Sequence, residues 1–161
     1  MKIKSATLGI LVVGIVFGGI MAASAMDLWI TESTKVPDKI IAGDAEGAYD
    51  PADIKGSYTF GEVSELFDLP LEDMAFAFDL PEDIEPSTFK NKELEVIYAD
   101  HELEVGTGSV RMFVALYKGL PYESTEETYL LSNAVQILKE KANLTQDQLA
   151  YLDSHTLTIA K

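Results

Sequence analysis

The chain has no cysteine, one arginine, one tryptophan and two histidines in 161 residues. Without cysteine there is no disulfide, no thiolate nucleophile, no Cys-ligated zinc, no thiolate-held iron–sulfur cluster and no covalent c-type haem. Positive charge is scarce as well: 12 Lys plus Arg stand against 27 Asp plus Glu, for a net charge of −15. Two of those cations, Lys2 and Lys4, precede an apolar stretch. The rest of the chain therefore carries ten cations against 27 carboxylates, a net −17. Such a surface repels phosphate backbones and excludes a nucleic-acid partner. Hydrophobic residues make up 47%, enough apolar side chain to offset the entropy of ordering one core.

From Ser5 to Met26 runs a 22-residue stretch without charge, between Lys2/Lys4 and Asp27. That length spans a bilayer, and the positive-inside rule holds the lysines in the cytoplasm. The expectation is a single-pass anchor in the cytoplasmic membrane, in contact with lipid through residues 5–26, with the C-terminal domain outside. The alternative is a signal peptide cleaved after Ala25, since Ala23-Ser24-Ala25 has the small-x-small pattern of a processing site and the protein would then be secreted. Trp29 suits an anchor as an interfacial aromatic. The organisation read from the chain is 1–26 anchor or signal peptide, 27–52 stalk and lead-in, and 53–161 acidic helical domain.

Within the lead-in, Asp50-Pro51 has the cap-then-proline order of a short helical turn. Thr59 and Glu62 then form a capping box for a helix with Phe60, Val63, Leu66 and Phe67 on one face. Leu71, Met74, Ala75 and Phe78 predict a second helix. Phe67-Asp68-Leu69-Pro70 recurs as Phe78-Asp79-Leu80-Pro81, a doubled helix-ending device. A third helix is predicted over 91–100 with Leu94, Ile97 and Tyr98 inward. The fourth, from about Ser109 to Lys118, is apolar almost all round and must be central; Gly119 and Pro121 end it. Two more follow, over 132–142 with Val135 and Leu138 inward, and over 145–154 with Thr145 and Gln148 as a second capping box and Leu149 and Leu152 packing. Strand signals are confined to Leu157 and Ile159. The predicted fold is all-α, an orthogonal bundle of about five to six short helices.

Few residues suggest chemistry. Gly106-Thr107-Gly108-Ser109 opens the central helix, where backbone N–H groups can hold an anion, and Arg111 lies one turn inside. Either these residues form a small anion or ligand site, or Ser109 or Thr107 caps the helix and Arg111 pairs with an internal carboxylate, Asp53 or Glu62. Thr59–Leu80 has a helix-turn-helix outline, but it would offer Glu72 and Asp73 to phosphate. His101 lies in Asp100-His101-Glu102, which is not metal-ligand spacing, and His155 lies near a helix end; both read as solvated. No nucleophile-elbow sequence supports a triad through Ser109. The carboxylate runs 82–85 and 123–127 lack the alternation and glycine of a calcium loop. Tyr117, Tyr122 and Tyr129 suggest an aromatic patch or rim packing. No metal, cofactor or catalytic residue is expected.

Two stretches together, Asp53-Ile54-Lys55-Gly56-Ser57-Tyr58-Thr59-Phe60-Gly61-Glu62-Val63 and Val110-Arg111-Met112-Phe113-Val114-Ala115-Leu116-Tyr117-Lys118-Gly119-Leu120-Pro121-Tyr122, resemble a small helical domain of anaerobic bacteria and archaea. That domain is seen alone behind a membrane segment or beside membrane-bound polyferredoxin-type 4Fe-4S proteins. The similarity covers about residues 27–157 and carries no catalytic residues. It implies a non-enzymatic accessory or docking module with a protein partner, a membrane-bound iron–sulfur protein, and never the electron carrier itself, because the chain lacks every cluster-ligating cysteine.

Overall fold

A computed structural model describes residues 36–100, 103–123 and 128–159, with Val12, Gly14, Ile15, Phe17 and Gly18 ahead of them. The chain divides into Met1–Lys35 and Val36–Lys161. In the first unit the five described positions are helical. Lys2, Lys4, most of the 5–26 stretch, Ala23-Ser24-Ala25 and Trp29 lie outside the described residues, and among the described residues no helix is long and apolar enough to cross a membrane.

The second unit begins within the predicted stalk. Ile40 and Ala48 exchange chain direction through Ile40 N–H to Ala48 C=O at 2.9 Å, and Asp50 N–H donates to Asp38 C=O at 2.8 Å, so residues 38–50 form a small antiparallel turn. Asp50 Oδ1 then accepts from Ala52 N–H at 2.8 Å and starts a 3-10 turn, Pro51–Asp53, in the expected cap-then-proline manner.

Six helices follow among the described residues: α1 (Phe60–Phe67), α2 (Leu71–Ala77), α3 (Leu94–Ile97), α4 (Thr107–Lys118), α5 (Ser132–Lys141) and α6 (Gln146–Ser154). Thr59 caps α1 and Thr145 caps α6, each with its reciprocal partner, Glu62 or Gln148. The repeated Phe-Asp-Leu-Pro closes α1 and α2 by one mechanism. Asp68 and Asp79 both adopt positive φ, 51° and 42°, a conformation a short polar side chain tolerates. The following leucines then reach back, Leu69 N–H to Ser64 C=O at 2.9 Å and Leu80 N–H to Ala75 C=O at 3.0 Å, the six-to-one bond of a Schellman ending. Proline after each leucine prevents continuation.

The central helix is α4, whose Val110, Met112, Phe113, Val114 and Ala115 are all buried. A line of rings crosses the core from Phe89 to Phe60, Phe78, Phe113 and Tyr117, with successive centroids 5.1 to 5.7 Å apart, the range in which edge-to-face pairs add to plain burial. Gly61 lets α1 approach the 86–88 turn, because a Cβ there would stand 2.6 Å from the Ser87 carbonyl oxygen.

Two expectations are corrected. The domain is mostly helical rather than all-α: β1 (Leu130–Leu131) and β2 (Thr156–Leu157) pair in parallel, Leu130 with Thr156 and Leu131 with Leu157. Leu130 and Leu131 are fully buried, so their backbone groups need partners, and the chain after α6 supplies them. The 91–100 segment is a 3-10 turn, Asn91–Glu93, followed by the single turn of α3. That leaves Leu94 and Tyr98 inside and Ile97 exposed.

Candidate functional site

The start of α4 and Arg111 meet in one cavity of about 300 Å³ that also takes in Glu95, Glu104 and Thr128. Gly106, rather than Thr107 or Ser109, is the N-cap. Ser109 acts from inside the first turn, its hydroxyl accepting from Gly106 N–H at 3.3 Å and donating to Tyr129 C=O at 2.7 Å. The buried serine thus joins the helix start to the segment leading into β1.

Glu95 comes from α3 and lies against Gly106. A Cβ on Gly106 would stand 2.8 Å from Glu95 Cγ and 3.0 Å from its Oε1. Only glycine admits the glutamate so close. The Glu95 side chain thus lies beside the α4 N-cap, while the Gly106 N–H itself is taken by Ser109 Oγ.

Arg111 leaves the following turn toward the lead-in, where its Nε donates to the Ile54 carbonyl at 2.7 Å. The two nominated carboxylates serve other groups. Asp53 Oδ2 accepts from Asp38 N–H at 3.0 Å and its Oδ1 is 3.9 Å from Lys55 Nζ, while Glu62 Oε2 accepts from Thr59 N–H at 2.8 Å. The arginine therefore ties α4 to the lead-in through a backbone acceptor next in sequence to Asp53. A guanidinium suits such an oxygen because it offers several fixed donors.

Tyr122 covers the other side of this region. Its hydroxyl lies 3.4 Å from the Gly108 carbonyl, and burial raises its pKa against the lowering effect of the Arg111 charge and a hydrogen bond with Thr128. With Met112, Leu116, Leu120 and Tyr151 it also lines a smaller cleft of about 220 Å³ between α4 and α6.

The remaining candidates have structural partners. Glu85 caps the 86–88 turn through Ser87, and most of the 123–127 run lies outside the described residues, as do His101 and Glu102. His155 is half-buried rather than solvated: its ring stacks on Tyr151 at 3.9 Å and 6°, with Tyr129 at 5.4 Å. Tyr117 donates to Asp73 Oδ2 at 2.8 Å. Among the described residues no three His, Asp or Glu side chains are grouped to hold a metal ion.

Asp73 is the polar residue that the sequence pattern misplaces. It reads as a solvated carboxylate in the first turn of α2, yet it is buried and accepts from both Tyr117 and Lys141. The i, i+4 spacing of Asp73 and Ala77, both buried, is the one signal that points to it. Searches for related proteins give no family model that matches the chain, no curated protein and no solved structure significantly similar to it.

Proposed function

We propose that the chain is a membrane-tethered, extracytoplasmic docking or accessory module of a membrane redox assembly, with no chemistry of its own. The observation that carries this reading is the division of charge along the sequence: two lysines, an uncharged 22-residue stretch, and then 27 carboxylates against ten cations. A tether and an acidic domain outside the membrane follow from that order. The ion pairs formed among described residues engage four carboxylates, those of Asp53, Asp68, Asp73 and Asp153. Much of the negative surface is thus available to a basic partner. The resemblance of the 53–63 and 110–122 stretches supports an iron–sulfur membrane protein as that partner.

The anion-binding alternative, through Gly106 to Ser109 and Arg111, is weakened by Glu95 and Glu104, two carboxylates that line the same cavity and disfavour an anion there. The test is affinity capture of the full chain from detergent-solubilised membranes, followed by mass spectrometry and a salt wash. The expected result is an iron–sulfur membrane protein retained at low ionic strength and released as salt rises. Capture of the chain alone would overturn the docking reading. Intact mass of the extracted protein separates the anchor from cleavage after Ala25.

A further inference from the structure

The antiparallel turn at the start of the second unit has one side that its own partner strand does not use. Ile40 bonds inward through both its N–H, to Ala48, and its C=O, from Gly47, and the Asp38 carbonyl bonds inward to Asp50. Lys39 sits in a bridge opposite Tyr49, so its own N–H and C=O point to the other edge, where neither they nor those of Ile41 find a backbone partner among the described residues. This edge borders a groove of about 930 Å³ that Pro121, Tyr122 and Glu123 also line. Five consecutive residues, 38–42, line it. A strand contributes alternate residues when it offers a face and consecutive ones when it offers an edge.

The side chains around the groove specify what it takes. Ile41 is 91% exposed and Pro121 and Tyr122 supply further apolar surface, while Asp38, Asp50 and Glu123 place three carboxylates on the rim. The one lysine there, Lys39, holds its Nζ over the Tyr49 ring, 5.7 Å from the centroid, where the ring face attracts the ammonium. An open strand edge would otherwise invite self-association, and here the acidic rim repels a second copy of this chain.

We propose that this groove is the docking site for an extended segment of a partner protein that alternates basic and apolar residues and adds as a strand along 39–41. Main-chain hydrogen bonds to Lys39 and Ile41 give the register, the apolar side chains meet Ile41 and Tyr122, and the basic ones meet Asp38 and Glu123. The proposal rests on the docking reading above and deepens it by naming the surface and the chemistry of the occupant.

The test uses the full chain in detergent and a labelled alternating arginine–valine peptide, followed by fluorescence anisotropy at low salt. The peptide is expected to bind, and joint Asp38→Lys and Glu123→Lys to weaken it by about tenfold. The same charge change made outside the groove, at Glu82 and Asp83, should cost far less. N-methylation of alternate peptide amides, which leaves the protein untouched, should abolish binding by removing strand addition. Equal loss from both pairs of substitutions, or indifference to N-methylation, would overturn the groove. A groove-reversed variant that still retains the membrane partner would also overturn it while leaving the docking reading intact; a wild-type chain that binds the peptide but retains no partner fails the docking reading alone.

Discussion

Lys141 Nζ lies 2.7 Å from each oxygen of the Asp73 carboxylate, and the Tyr117 hydroxyl donates to one of those oxygens at 2.8 Å. Three helices, α2, α4 and α5, meet at that carboxylate. Asp73 is 7% exposed, and removing its carboxylate forfeits the bonds to both donors together, whereas removing the Tyr117 hydroxyl leaves the lysine in place. Asp73 also sits in the first turn of α2, where the helix dipole favours it.

Asp73→Ala is therefore expected to destabilise the domain by about 2 kcal/mol, the range for hydrogen bonds to a charged group, in urea denaturation followed by circular dichroism. Tyr117→Phe should lose less, because Lys141 continues to hold both oxygens. A double-mutant cycle between Asp73 and Tyr117 should return a coupling well above measurement error. Additive losses would mean that the Tyr117 hydroxyl contributes nothing through Asp73.

Two buried tyrosines should respond in opposite ways to loss of the hydroxyl. The Tyr98 hydroxyl donates to the Phe78 carbonyl at 2.7 Å, bracing α3 against the end of α2. Tyr98→Phe leaves that oxygen unpaired and should cost about 1 kcal/mol. The Tyr58 hydroxyl is buried with no hydrogen-bond partner among the described residues, so Tyr58→Phe removes an unsatisfied group and should be neutral or stabilising. Thermal melts of the two variants check the contrast; equal losses would count against it.

Alkaline pH should destabilise the domain. Burial raises the pKa of Tyr98 to about 12, with the Asp79 charge adding to it, and Asp73 raises that of Lys141 chiefly by hydrogen bonding. For both groups the folded value exceeds the unfolded one, so the folded state holds its protons more tightly. Their contribution is complete below the unfolded values and is lost as pH rises through the folded ones. Stability should therefore fall from about pH 10 toward 12, the window between the ordinary tyrosine value and that of Tyr98. Urea midpoints across that window, with Tyr98→Phe flattening the slope, are the measurement.

Close approach explains why two glycines differ. Gly61→Ala brings a methyl group 2.6 Å from the Ser87 carbonyl, a clash with backbone that must move α1 or the 86–88 turn, and should cost about 1–3 kcal/mol. Gly108, in the first turn of α4, offers room: its nearest neighbour would be Thr128 Oγ1 at 3.6 Å. Gly108→Ala is expected to stabilise by about 0.5–1 kcal/mol through helix propensity. Calorimetric melting of the two alanine variants should move in opposite directions.

What the sequence makes legible here is what neighbouring residues decide between themselves. Thr59 with Glu62, Thr145 with Gln148, and Asp50 with Pro51 each set a helix start within a few residues, and Gly119 ends α4 at φ 64°. The convergence of Gly106, Ser109 and Arg111 on one cavity is legible for the same reason, since all three belong to the start of one helix. Their partners are not. Arg111 finds Ile54, 57 residues away, and Asp73 finds Lys141, 68 residues away, and no periodic pattern encodes such distances. Leu157 of β2 carries a strand signal, but its partner β1 escapes because two residues have too little alternation to distinguish a strand from a helix lead-in. Ile97 has the right spacing for a buried face, but the single turn of α3 puts Leu94 and Tyr98 inward and leaves Ile97 exposed.

The place of Glu95 beside Gly106 separates the two readings of the α4 start by a simple measurement. In the wild type Glu95 and Glu104 line the cavity at that helix start, so phosphate or sulfate should be repelled and leave the melting temperature unchanged once ionic strength is matched with chloride. Glu95→Ala removes one of those carboxylates. Phosphate should then raise the melting temperature of the variant, because the helix start and Arg111 face one repelling charge fewer. Arg111→Leu in the same background should abolish the phosphate effect while adding its own loss, since the Ile54 carbonyl loses its donor. Phosphate stabilisation of the wild type itself would show that the cavity takes an external anion despite its two carboxylates, and the anion-binding reading would then displace the internal tie.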